Sequence, residues 1–250
     1  MRKLKEQRGL SLIEVTIMLL VLMLLTSVLA PSIFDFVVDA QWVKVKEDCE
    51  VLAISVARLV RDVGPNLYTK NGGQTAYLTY KMDLMLSDGR APAINLTLAP
   101  PVTGFTGGLD NWYATTGTTT SATSNFIGTC EQQLISNLDT AALQIYLDPA
   151  TPTYGPFFGQ GWRGAYLSPP CASDPWGRTY EVNTKWINTS FGTAGTPVSQ
   201  FHCNDVYCLS AGKNGIIETP FGTNFATGSH ASGTRRGGDD WTTVIAPCDP

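Results

Sequence analysis

Residues 15–30 contain no charge, and only Thr16, Thr26 and Ser27 among these 16 positions are polar. Widening the window to residues 10–34 gives 25 positions with a single charge, Glu14, long enough to cross a bilayer with tilt. The pattern then changes rather than stops. Apolar side chains recur at Val45, Cys49, Leu52, Val56, Leu59, Val60 and Val63, at the three- and four-residue spacing of a helix. Lys44, Lys46, Glu47, Glu50, Arg58 and Arg61 take the opposite face, and Gly64-Pro65 is a stop signal. Together the two stretches predict one long helix over residues 10–63, 54 residues and about 81 Å if fully helical. Its first half is membrane-embedded and its second amphipathic. Pro31 lacks an amide donor and clashes with the preceding turn, which predicts a kink or local melting there; two helices joined at Pro31 is the other reading.

Arg2, Lys3, Lys5 and Arg8 precede the apolar run against one acid, Glu6. A basic leader stays in the cytoplasm and sends the rest of the chain across the membrane. A secretory signal peptide would be cut after Val28 and Ala30, which have the required small side chains, but Pro31 would come next after the cut and obstruct it. A plain signal anchor explains the topology and leaves Gly9, Glu14 and Pro31 without a reason. A carboxylate in hydrocarbon costs several kcal/mol, so Glu14 calls for one.

The stretch RGLSLIEV, residues 8–15, resembles the class III leader of type IV pilins and pseudopilins. The resemblance implies cleavage by prepilin peptidase between Gly9 and Leu10, N-methylation of Leu10, and a proline at the place of Pro31. The family usually starts its mature chain with Phe; here the residue is Leu10. Cleavage leaves the apolar segment in the membrane and creates a charged amine at its start. The resemblance implies that Glu14 pairs with the Leu10 amine of an adjacent subunit, satisfying two charges that are costly apart and fixing the register of a filament.

Composition fits an exported chain. The 17 basic and 21 acidic residues become 13 and 20 once the leader's four bases and one acid are removed, a net of about −7. No basic patch stands out, so no nucleic-acid partner is expected. Cys49, Cys130, Cys171, Cys203, Cys208 and Cys248 are an even set, which on the oxidising side of a membrane reads as up to three disulfides. Of the possible pairings only the local Cys203–Cys208 one suggests itself. The chain divides into a leader at 1–9, the helix at 10–64 and a globular head at 65–250, with an insertion at about 66–170. Within it, residues 77–80 and 94–98 alternate like short strands, residues 102–129 form a Thr/Gly/Ser-rich exposed loop, and residues 131–147 suit a helix with Leu134, Leu138, Ala141 and Ile145 on one face. Asn95-Leu-Thr97 and Asn188-Thr-Ser190 match the glycan acceptor pattern.

DPWGRTY at 174–180, DVYCLSAGKNGIIETPFG at 205–222 and GGDDW at 237–241 resemble the C-terminal half of the major pseudopilin of type II secretion. That resemblance implies an α+β fold, the long helix packed on a small antiparallel sheet with long loops, and a calcium loop. Its oxygens would come from Leu209, Gly212, Asn214, Glu218, Asp239 and Asp240. Asn214 stands where the family has an aspartate, and Lys213 lies beside it. Enzyme chemistry has little foothold: His202 beside Cys203 reads more readily as a histidine next to a disulfide than as a metal or Cys/His site, AGKNG lacks the surroundings of a phosphate loop, and Asp239-Asp240 suits a hard cation. The reading is a non-enzymatic subunit of a type IV pilus-like or secretion pseudopilus filament. Its implied partners are further copies of itself, the peptidase, an inner-membrane assembly platform and membrane lipid. It would reside in the inner membrane, then in a periplasmic or extracellular filament. The competing class is a signal-anchored periplasmic enzyme or binding protein.

Overall fold

The structure, a computed structural model, describes residues 11–64, 84–95, 102–103, 109–110, 112, 127–138, 144–146, 161–184, 187, 206–221 and 238–246. The chain divides into two compact units, Met1–Lys44 and Val45–Pro250, and the fold is α+β.

Helix α1 runs over Leu12–Val63, 52 residues, with Pro31 inside it. The expected local melting at Pro31 is therefore not found, nor are two separate helices. Proline removes one N–H from the ladder, and the helical turns on either side carry the helix past it. The stop is as expected. Gly64 takes φ +87° and its N–H donates to the Val60 carbonyl at 2.8 Å, a left-handed cap that favours glycine.

In the second unit α1 buries Val45, Cys49, Leu52, Ala53, Ser55, Val56, Leu59 and Val63, the predicted stripe almost residue for residue. It faces a five-stranded sheet of order β5-β1-β6-β7-β9: β1 is Leu84–Leu86, β5 Ile127–Thr129, β6 Glu181–Asn183, β7 Val206–Ser210 and β9 Trp241–Ala246. Met85, Val182 and Cys208 are register partners across β1, β6 and β7, and all three belong to the core that contains the helix stripe. At roughly 1.5–3 kcal/mol per fully buried apolar side chain, this seam outweighs any polar contact in the unit. Polar bonds then fix its register: the Tyr180 hydroxyl donates to Asp48 Oδ2 at 2.9 Å, and Ser55 Oγ donates to the Tyr166 carbonyl at 3.0 Å.

Side chains one position along point to the opposite face. There Leu84, Tyr207 and Leu209 pack with Trp112, Ala211, Ile217 and Phe221 in a second core. Trp112 meets Tyr207 and Phe221 edge-on, with ring centroids 5.5 and 5.1 Å apart, and its indole N–H donates to the Thr219 carbonyl at 2.7 Å. Two small ladders flank the sheet: β2 (Ala93–Ile94) pairs with β8 (Ile216–Ile217), and β3 (Val102–Thr103) with β4 (Leu109–Asp110).

Four expectations need correction. The sheet is mixed rather than antiparallel, because β1 and β5 pair in parallel; the sequence between Leu86 and Ile127 is long enough for the connection that a parallel pair requires. The stretch at 102–129 is more than loop, since it contributes β3, β4, β5 and the buried Trp112. The helix expected over 131–147 is a six-residue π-helical turn, Glu131–Ser136. It stops because Asn137 is left-handed, φ 55°, and its side-chain amide bonds both the N–H and the carbonyl of Tyr146 at 2.8 and 2.9 Å. Leu134 and Ile145 are buried as predicted, but Leu138 is 41% exposed. Finally, of the strand expected at 94–98 Ile94 belongs to β2, Ala93–Ile94, and Asn95 does not, while residues 96–98 lie outside the described residues. The strand expected at 77–80 lies outside the described residues.

Candidate functional site

The start of α1 is closed on itself. The Ser11 N–H donates to Glu14 Oε2 at 2.9 Å, and the Glu14 N–H donates to Ser11 Oγ at 3.3 Å. This is a reciprocal capping box, which satisfies two amide donors that the first turn leaves unpaired; the carboxylate also complements the positive end of the helix dipole. Glu14 thus has a task within its own chain. The Ser-x-x-Glu spacing announces it, and reading Glu14 only as a partner for another subunit passes over it. Beyond the cap, the helix exposes a largely apolar surface, interrupted by few polar side chains. Leu19, Leu20, Leu22, Leu24, Leu25, Phe34 and Phe36 are each more than half exposed, a larger patch than a soluble monomer carries. By length and composition this helix can cross a membrane, as a membrane anchor or a signal sequence would. Gly9 and Leu10 lie outside the described residues.

The second candidate site joins the three C-terminal motifs. Asp174 organises its own turn, accepting the N–H groups of Trp176 at 3.0 Å and Arg178 at 2.8 Å on Oδ1. Its Oδ2 accepts the Ser210 hydroxyl at 3.0 Å, so the DPWG turn is fastened to the end of β7. Burial pushes the Asp174 carboxyl above the ordinary carboxylate range, and the bonds from Arg178, Ser210 and Trp176 pull it part of the way back. Arg178 reaches on to donate to the Gly215 carbonyl. Gly215 has φ +66°, a left-handed conformation that favours glycine, and a Cβ there would also displace the Arg178 guanidinium.

From Ser210 the chain enters the loop expected to hold calcium. Gly212, Asn214, Glu218, Asp239 and Asp240 do converge. The Asn214 N–H donates to Asp239 Oδ2 at 3.0 Å; the Glu218 and Thr219 N–H groups donate to Asp240 Oδ2 at 2.8 and 2.7 Å. Gly212 packs against Asp239, and Gly238 against the Glu218 carboxylate, so closely that a Cβ on either glycine would collide. Leu209 sits apart from this group as a sheet residue inside β7, in register with Glu181 and Thr242. The two aspartates thus clasp both ends of the loop through backbone amides. Burial raises the Asp240 carboxyl to about 6 against the pull of those amides. Asp239 Oδ1 and Asp240 Oδ1 are buried and accept no hydrogen bond among the described residues. Among the described residues no group of three or more His, Cys, Asp or Glu side chains is arranged to hold a metal ion.

Four of the six cysteines are described. Cys130 and Cys171 form a disulfide, while Cys49 and Cys208 are buried thiols. Cys208 faces Cys49 at an Sγ–Sγ distance of 3.4 Å; the other member of the expected Cys203–Cys208 pairing lies outside the described residues. β7 turns the Cys208 side chain toward the helix, and sequence proximity gives no sign of that. Cys203, Cys248, His202 and the Asn188 glycan motif fall outside the described residues; at the other glycan motif, the Asn95 N–H donates to the Ile217 carbonyl at 2.8 Å. The architecture, a long apolar N-terminal helix followed by a small sheet, is compatible with a pilin-like one. No protein-family model, curated protein or solved structure matches the chain.

Proposed function

We propose that this chain is a structural, non-catalytic subunit of a type IV pilus-like or type II secretion pseudopilus filament. Prepilin peptidase would cut it between Gly9 and Leu10 and methylate Leu10. The inner membrane would hold the mature subunit until an assembly platform adds it to a periplasmic or extracellular filament. The observation that carries the reading is the continuous 52-residue helix α1, whose exposed apolar half is entered through the RGLSLIEV stretch and whose other half is the spine of the head. An apolar helix stripped of its leader is soluble in lipid and equally able to pack against copies of itself. A register charge at Glu14 then selects one stagger among many.

Glu14 offers a test that separates this role from its capping role. Glutamine can close the capping box in place of glutamate, giving up only the dipole contribution of the charge, and it carries no charge for a neighbour's amine. Glu14→Gln is expected to insert and be processed normally and to lose filament assembly, to the same degree as Glu14→Ala. Wild-type filament yield from Glu14→Gln would reduce Glu14 to a helix cap and remove the register argument.

Calcium at the Asp239–Asp240 clasp is a proposal that rests on the two buried oxygens without partners. The ion takes six to eight oxygens at about 2.3–2.6 Å; those two carboxylates, Glu218, the Asn214 amide and the carbonyl of Gly212 are the donors this chain would offer, and Leu209 drops out of the set because it is a ladder residue of β7. Full-length protein in detergent is expected to melt higher with calcium than with chelator. Coincident midpoints would leave the loop held by its amide clasp alone.

A further inference from the structure

Two thiols meet where the helix and the sheet are most tightly joined. Cys49 lies on the buried stripe of α1 and Cys208 near the middle of β7; both are fully buried, and their sulfurs are 3.4 Å apart. A disulfide needs a separation of about 2.05 Å, so the sulfurs are little more than an ångström short of bonding. Cys130 and Cys171, in the same core cluster, are already joined. A chain that carries one disulfide in this core and a second pair of cysteines in sulfur contact has the geometry for two.

We propose that Cys49 and Cys208 form a disulfide in the mature protein, tying α1 covalently to the central region of the sheet. The inference rests on the reading that the head lies outside the cytoplasm. The oxidant is a disulfide of the export compartment, from a thiol–disulfide oxidase or a small-molecule disulfide. One cysteine thiolate attacks it and a mixed disulfide forms; the second cysteine then displaces the oxidant's remaining sulfur. Cys49 and Cys208 lose two electrons and two protons between them, and the oxidant's sulfur–sulfur bond becomes two thiols. Burial and the neighbouring Cys208 raise the Cys49 thiol well above its ordinary value, which makes its thiolate scarce once the core has closed. The exchange therefore belongs to folding, before helix and sheet seal the pair. The bond spans 159 residues of sequence against 41 for Cys130–Cys171, so it restrains the unfolded chain more. Within the filament reading, it keeps the head attached to the helix that assembles.

Peptide mapping decides the matter. Full-length protein is extracted from membranes into denaturant with a maleimide present, digested without reductant, and analysed by mass. The expected product is a linked peptide pair containing Cys49 and Cys208, lighter by the two hydrogens lost and separated by reduction. Maleimide on Cys49 and Cys208, with Cys130 and Cys171 linked, would overturn the inference and leave the export reading standing. A Cys203–Cys208 link would overturn it as well. Maleimide on all four would overturn the inference and the export reading together.

Discussion

Glu181 sits in β6 with no exposed surface, and one of its oxygens accepts the Thr179 hydroxyl at 2.8 Å. Burial pushes its carboxyl well above the ordinary range. The folded chain therefore keeps a proton that an unfolded glutamate releases near pH 4.3. Above that pH the native state binds more protons than the unfolded one, so stability falls as pH rises. The contribution of Glu181 is fully present below about pH 4.3 and is lost toward its raised folded value. Glu181→Gln keeps the acceptor and removes the titration. Its thermal midpoint is expected to pull ahead of wild type as pH is raised from 4 toward neutrality; parallel curves for the two proteins would contradict the assignment. The TYEVN segment shows why this site is hard to read from sequence. Its alternation places Thr179, Glu181 and Asn183 on one face and Tyr180 and Val182 on the other, which reads as a half-solvated strand. The polar face is in fact covered: the Asn183 amide donates to the Phe221 carbonyl, in the layer built by Trp112 and Phe221. What covers that face comes from distant segments, and alternation within a strand carries no trace of them.

At the scale of elements, the long helix is the most legible part of the chain. Its 3.6-residue stripe, its Gly64 stop and its apolar first half follow from local rules, and the structure keeps all three. Pro31 misleads because a proline penalty of about 3 kcal/mol is weighed against a helix of many turns, not against one. The DPWG turn and Ser210 are legible as motifs, and a hydrogen bond joins them in the fold. The segment around Trp112 is not legible. A Thr/Gly/Ser-rich composition reads as exposed loop, yet one aromatic in it supplies the centre of a core. Trp112→Ala removes two edge-on ring contacts and the indole hydrogen bond to the Thr219 carbonyl, and the cost expected is about 3–5 kcal/mol. Denaturant unfolding of the full-length protein in mild detergent would show it; a loss under about 1 kcal/mol would mean that the second layer is held by something other than Trp112.

For the whole molecule, charge and hydropathy separate two environments along one helix. Leu12 to Phe36 present large apolar side chains that are exposed, while Val45, Cys49, Leu52, Val56, Leu59 and Val63 of the same helix are buried. A helix of this kind follows directly from its sequence. Whether it ends as an anchor, a discarded signal or a filament spine depends on where the chain is cut, since the same apolar segment serves all three. The most direct measurement is the mass and N-terminal sequence of the protein recovered from membranes. A chain that begins at N-methylated Leu10 is the predicted result. A chain that retains the basic leader, or begins at Pro31, would contradict the filament account.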